Sequence, residues 1–205
     1  KPLFCLQNPS KTGITFNNQL IENANFNSYT YDYLYNGGGV AAGDIDNDGL
    51  VDLYFTGNIV GNRLYKNLGN WKFRDITDKA NVGADNSWST GATFVDINAD
   101  GLLDIYVCRA FSANKNLRKN LLYINNGNST FTESAEKYRL DDASYSVQAS
   151  FFDYDLDGDL DVFVANHPKT FHEQVGVKYQ KWLNPNLDES NHLYKNNGDN
   201  TFSNI

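Results

Sequence analysis

Asp153-Tyr154-Asp155-Leu156-Asp157-Gly158-Asp159-Leu160-Asp161, running directly into Val162-Phe163-Val164-Ala165, is the stretch whose reading decides the fold. It follows D-x-[DN]-x-[DN]-G-x-x-D, a pattern in which side-chain oxygens at positions 1, 3, 5 and 9 and the carbonyl of position 7 can converge on one hard cation. Glycine at position 6 allows the sharp turn. The pattern recurs at Asp44-Ile45-Asp46-Asn47-Asp48-Gly49-Leu50-Val51-Asp52 and at Asp96-Ile97-Asn98-Ala99-Asp100-Gly101-Leu102-Leu103-Asp104. The candidate ligands are therefore Asp44, Asp46, Asp48, Leu50 and Asp52 in the first loop and Asp96, Asn98, Asp100, Leu102 and Asp104 in the second. The third offers Asp153, Asp155, Asp157, Asp159 and Asp161. Leu50, Leu102 and Asp159 contribute through the backbone carbonyl.

Each loop is preceded by a small, apolar strand (Val40-Ala41-Ala42-Gly43, Gly91-Ala92-Thr93-Phe94-Val95, Gln148-Ala149-Ser150-Phe151-Phe152) and followed by a β-branched or aromatic one. A second hairpin then repeats: Asn62-Arg63-Leu64-Tyr65-Lys66-Asn67 to Phe73, Asn120-Leu121-Leu122-Tyr123-Ile124-Asn125 to Phe131, and Asn191-His192-Leu193-Tyr194-Lys195-Asn196 to Phe202. The unit is four antiparallel strands, and the acidic loops start 52 and 57 residues apart. That period predicts an all-β chain of β-propeller blades. Residues 40–77, 91–135 and 148–205 are the three blades, the last with an insertion over 166–190. Residues 12–17 read as the outer strand of a closing blade. Three blades cannot close a ring without exposing apolar faces, so missing C-terminal blades or a second copy are expected to complete it.

The charge pattern agrees with metal loops. Seventeen basic and twenty-five acidic residues give a net charge of -8, and twelve of the acids lie in the three nonapeptides. Crowded carboxylates repel unless a cation binds among them. EF-hand loops need a bidentate acid at position 12, where this chain has Phe55, Val107 and Val164. Dockerin-like loops fail because strands, not helices, follow. Magnesium prefers a tighter octahedron that keeps its waters, so the flexible all-oxygen cage favours Ca2+ at three structural sites. By carboxylate count, the first and third sites should bind more tightly than the second. Loops of this kind suit submillimolar to millimolar calcium, which points to an extracytoplasmic setting. Cys5 and Cys108 are too few for a disulfide framework, and Cys108 reads as a buried thiol. No stretch is long enough for a membrane span.

Taken together, these motifs resemble the FG-GAP/VCBS repeats of integrin-α-like propellers. Thr12-Gly13-Ile14-Thr15-Phe16-Asn17-Asn18 and Tyr35-Asn36-Gly37-Gly38-Gly39-Val40-Ala41-Ala42-Gly43-Asp44 are similar to secreted VCBS-repeat proteins of Bacteroidetes that carry an ASPIC-type C-terminal domain. The resemblance implies a seven-blade propeller, secretion or surface attachment, and calcium; for most such proteins it implies no established activity. Asn98 departs from the usual Asp.

If the acidic loops join strands 1 and 2, they share one rim with the strand 3–4 turns. The remaining loops emerge ~15 Å away, at about 3.3 Å per residue of strand. That opposite rim carries Tyr29, Tyr31, Tyr33 and Tyr35, then Trp88, Tyr145, Phe111, Lys115, Arg118 and Lys119. Aromatic rings beside basic groups suit sugar rings, anionic glycans or a protein partner; the alternating tyrosines equally suit one face of a packed strand. Gly37-Gly38-Gly39 fits close backbone packing better than phosphate binding. His167, His172 and Glu173 in the insertion are the one place for an acid–base pair, with a lyase- or dehydratase-like polysaccharide enzyme as the alternative to a non-catalytic module. Their spacing matches no metalloprotease motif. No basic stripe suggests nucleic acid.

Overall fold

The computed structural model describes residues 4–24, 26–84, 87–168 and 190–205. Twelve strands form three antiparallel four-stranded sheets, each a meander in chain order. The first sheet contains β1 (Val40–Gly43), β2 (Asp52–Phe55), β3 (Arg63–Asn67) and β4 (Phe73–Asp75). The second contains β5 (Trp88–Val95), β6 (Asp104–Ala110), β7 (Leu121–Asn125) and β8 (Phe131–Glu133). The third contains β9 (Ser146–Phe152), β10 (Asp161–Asn166), β11 (His192–Asn196) and β12 (Phe202–Asn204). This is the expected blade architecture.

Burial follows from the stacking. β6 is buried at every position because it lies in the middle sheet, covered on both faces. Its alternate residues divide between two cores. Ile105 and Val107 pack toward the first sheet with Tyr54, Leu64 and Ala92. Tyr106 and Cys108 pack toward the third with Leu122, Val162 and Val164. Cys108 is a free, buried thiol and Cys5 a free, exposed one.

Strands β1, β5 and β9 run beside one another, and Thr93 Oγ1 donates to Ala149 O at 3.0 Å across the second junction. Glycine is required where they approach most closely. A Cβ on Gly39 would lie 2.7 Å from Thr90 O, and one on Gly91 would lie 2.5 Å from Val147 O. Gly38, whose Cβ would run into Thr56 O, and Gly39 therefore serve backbone packing as expected, whereas a Cβ on Gly37 would meet nothing within 4 Å among the described residues, and Gly37 instead takes a left-handed φ of 79°.

Between blades the chain makes one short helical turn, α2 (Thr77–Ala80) and then α3 (Ala135–Tyr138). Each ends on a left-handed residue, Asn81 and Arg139. Residues 12–17 form no ladder. Thr12 closes α1 (Pro9–Thr12), Gly13 turns the chain at φ 80°, and the segment lies against the first sheet through Phe16 stacked on Phe55 (5.3 Å). A single strand with no partner edge leaves its backbone groups unpaired, so tertiary contacts replace the ladder. Of the expected insertion only Asn166, His167, Pro168 and Ser190 are among the described residues; His172 and Glu173 lie outside them.

Candidate functional site

All three acidic nonapeptides connect the first and second strands of their sheets, at the same end of each blade. They share one internal wiring. The position 1 carboxylate turns inward and accepts from the amides of positions 5 and 6: Asp44 from Asp48 (3.1 Å) and Gly49 (2.7 Å), Asp96 from Asp100 (3.0 Å) and Gly101 (2.9 Å), Asp153 from Asp157 (3.2 Å) and Gly158 (3.1 Å). The position 6 glycine takes positive φ in every copy.

The position 9 aspartates, Asp52, Asp104 and Asp161, are fully buried. One oxygen of each accepts from the position 2 amide, that of Ile45, Ile97 or Tyr154. The other accepts from the amide of Asn67 (2.7 Å), Asn125 (2.8 Å) or Asn196 (2.8 Å) in the third strand. Each of these asparagines then accepts from the glycine of its strand 3–4 turn. One carboxylate thus locks the acidic loop to the second hairpin. Burial pushes Asp52 up and Asp104 up to about 6, assisted by neighbouring carboxylates and opposed by the two amide donors.

Carboxylate oxygens of Asp44, Asp46 and Asp48 come within 4.8 Å of one another, as do those of Asp153, Asp155 and Asp161. Oδ1 of Asp46 and Oδ1 of Asp155 are buried and have no hydrogen-bond partner. Buried, unpaired carboxylate oxygens inside an all-oxygen cluster are what a hard cation satisfies, so the residues fit such an ion. In the middle loop the Asn98 amide donates to Asp100 Oδ2 at 2.9 Å. Loops one and two also touch, Asn47 Nδ2 donating to Gly101 O at 3.1 Å.

Two participants escaped the sequence reading. The Lys66 ammonium contacts Asp46 Oδ2 and lies 3.1 Å from Asp48 Oδ2. Lys195 does the same with Asp155 Oδ2 and, at 3.5 Å, Asp157 Oδ2. Hydrogen bonding to these lysines holds Asp48 and Asp155 below the usual carboxylate range. The signal was present: both lysines hold the same place in the repeated N-x-L-Y-x-N hairpin, where the middle copy has Ile124.

At the opposite end of β1, β5 and β9, the aromatic residues meet. Residues 27–36 run as turns rather than a strand. Tyr31 is buried and Tyr29 is 86% exposed, so neither a uniform platform nor a packed strand face forms. Tyr31 packs edge-on to Trp88 (5.1 Å) and against Phe111 (4.3 Å), and the His167 ring stacks on Tyr33 at 3.8 Å. His167 Nδ1–H donates to Pro168 O (2.7 Å), leaving Nε2 to accept from the Tyr31 hydroxyl (3.1 Å). Burial raises the Tyr31 phenol well above its ordinary range and, with the Asp32 charge, pushes Tyr33 up to about 12. Both phenols stay protonated at neutral pH.

These rings line a pocket of about 210 Å³ with Gly37–Gly39, Val147 and Gln148, and no Asp, Glu, Lys or Arg lines it among the described residues. The basic groups expected beside it serve the loops. Arg118 is 3% exposed, donates to Ala143 O (2.9 Å) and Ser112 O, and lies 4.2 Å over the Tyr145 ring. Lys119 pairs with Asp141 at 2.7 Å. No helix among the described residues is long and apolar enough to cross a membrane.

No curated protein matches the chain. The family profile described as FG-GAP-like repeat matches residues 44–107 and 110–164, more than half of the chain and all three acidic loops, and with the blades and loops in place the chain belongs to the FG-GAP-like repeat family.

Proposed function

We propose that the chain is a calcium-stapled, extracytoplasmic propeller module that recognises an uncharged sugar ring through the rim opposite its metal loops, without catalysis. The observation that carries the recognition reading is the pocket between Tyr33, stacked on His167, and the Tyr31–Trp88 pair, which is aromatic, small and lined by no Asp, Glu, Lys or Arg among the described residues. Aromatic faces with a few polar groups suit a single sugar ring; an anionic glycan would meet no Lys or Arg among the described lining residues. Gln148 and Asn36 supply the polar edge. The non-catalytic reading rests on a histidine whose two nitrogens are both hydrogen-bonded and on a tyrosine held protonated by burial.

On this reading calcium is structural, held in each loop by the position 1, 3, 5 and 9 side chains and the position 7 carbonyl, and separated from the pocket by the length of a strand. The blades belong to a larger ring, seven by family resemblance. Phe163 holds the strand position of Tyr54 and Tyr106, both fully buried against the following sheet, yet it is 36% exposed, with Phe152 exposed beside it on the same face. A further blade or a second copy is read as its cover.

Two measurements test the proposal. Thermal unfolding in chelator and in calcium should differ by about 5 °C or more, the effect of one site at 100 times its Kd in a chain of this size. Asp157→Ala should erode that gain more than Asp159→Ala, whose side chain is not asked to ligate. An unchanged midpoint removes the metal. Neutral oligosaccharides should be retained by the wild type and lost by Tyr33→Ala. Retention of anionic glycans alone would reverse the pocket assignment, binding only of a protein would replace the ligand class, and turnover abolished by His167→Ala would make the chain an enzyme.

A further inference from the structure

The three loops differ in a way that carboxylate counting hides. The first presents four carboxylates and one ammonium, Lys66, leaving three negative charges. The middle loop has three carboxylates, because Asn98 replaces an aspartate, and no ammonium, because Ile124 replaces the lysine. The third has five carboxylates, Asp159 being the additional one at position 7, and one ammonium, Lys195. Aspartate at loop position 3 is accompanied by lysine in the third strand, and asparagine by isoleucine, so each lysine offsets the position 3 carboxylate: the first and middle loops carry three net negative charges and the third, with Asp159, four.

The contacts show which oxygens are involved. In both lysine-bearing loops the ammonium takes Oδ2 of the position 3 aspartate and reaches toward Oδ2 of the position 5 aspartate. Oδ1 of the position 3 residue is left buried and unpaired. The lysine therefore stands beside the cluster, one carboxylate away from its centre. In the middle loop the carboxamide of Asn98 performs the local bridging, donating to Asp100 Oδ2 while its Oδ1 accepts from the Asp100 amide (3.2 Å).

We propose that Lys66 and Lys195 are resident cations of the first and third loops: each keeps its loop folded when no metal is bound and weakens the binding of a divalent cation, so that the lysine-free middle loop is not the weakest of the three. The inference rests on the reading that the loops take calcium. It removes the disadvantage that carboxylate number alone assigns to the middle loop relative to the first. A positive charge held a few ångströms from the ion opposes its entry, and the same charge relieves carboxylate repulsion in the metal-free chain.

The test uses Lys66→Met and Lys195→Met, singly and together, which keep most of the aliphatic stem that packs on the strand. Calcium affinity is measured by calorimetry in an Asp96→Ala background, where the middle loop is disabled, and the thermal midpoint is measured in chelator. The expected result is calcium binding at least about tenfold tighter, the scale of one unit charge at this range in a half-solvated site, together with a lower midpoint in chelator. The reciprocal variant, Ile124→Lys with Asp96 intact, should weaken the middle site by a similar factor. Calcium affinity that falls or stays constant in the methionine variants would overturn the proposal, the first outcome making the lysines positioning groups for Asp46 and Asp155. If calcium binds none of the variants nor the wild type, the metal reading itself fails and the competition with it. A chelated midpoint that still drops in the methionine variants would then leave only the role of the lysines in the metal-free fold.

Discussion

Asn62, Asn120 and Asn191 open the same hairpin in three blades, and their surroundings grade what each contributes. Asn120 is fully buried; its Oδ1 accepts from the Arg109 amide (2.8 Å), and its Nδ2 donates to Tyr106 Oη (3.0 Å) and Ser146 Oγ (3.0 Å). Asn62, also fully buried, accepts from the Gly57 amide and donates to Tyr54 Oη, both at 2.9 Å. Asn191 is exposed and accepts from the Asn166 amide. Replacing Asn120 by alanine strands a buried amide, at about 1–3 kcal/mol, and removes two further bonds of about 0.5–1.5 kcal/mol each, partly recovered because Tyr106 still donates to Leu140 O (3.0 Å). A loss of about 3 kcal/mol is expected for Asn120→Ala, about 2 kcal/mol for Asn62→Ala, and under about 1 kcal/mol for Asn191→Ala, where water replaces the side chain. For a chain of about 200 residues the first corresponds to a fall of roughly 6–12 °C in Tm. Differential scanning calorimetry in chelator, which keeps metal out of the comparison, measures it. Equal falls in all three, or the largest for Asn191→Ala, would refute the reasoning that the Asn–Tyr pair locks the second and third strands.

Burial disfavours the charged form of Asp142, but hydrogen bonds from Ser144 and His192 (Nδ1 to Oδ2, 2.7 Å) outweigh it and hold the carboxyl below the usual range. A folded pKa below the unfolded one contributes stability that is complete above about pH 4 and is lost as pH falls through the lower, folded value. Asp142→Asn should flatten that acid limb in a series of urea midpoints against pH, and an unaltered limb would contradict the assignment. Burial, with the Asp142 charge adding to it, raises the Cys108 thiol far above its ordinary range, so a thiol reagent should titrate Cys5 alone in the native protein and both cysteines in denaturant. Two equivalents in native buffer would place Cys108 at the surface.

Local spacing wrote the acidic loops and the hairpins that follow them. A turn with aspartates at positions 1 and 5 and glycine at 6 is closed by bonds four and five residues apart, so nothing distant is needed to specify it. Alternation in β6 could not be read as two faces, because the middle blade is covered on both sides and every residue is apolar or paired. Residues 12–17 stand apart for the opposite reason: an outer strand of a closing blade exists only where another edge pairs with it, and among the described residues no edge does.

Sequence alone thus determined the acidic loops, the four-stranded repeat and the all-β class, since each depends on residues within one blade. The tertiary structure decided what spans blades or distant strands. It put lysine ammonium groups among the aspartates, buried Arg118 over the Tyr145 ring, paired Lys119 with Asp141, and gathered Tyr31, Tyr33, Trp88 and His167 into one pocket across as many as 136 residues of chain. Those outcomes are set by which side chains the stacking of sheets brings within a few ångströms, and linear spacing carries no record of that proximity.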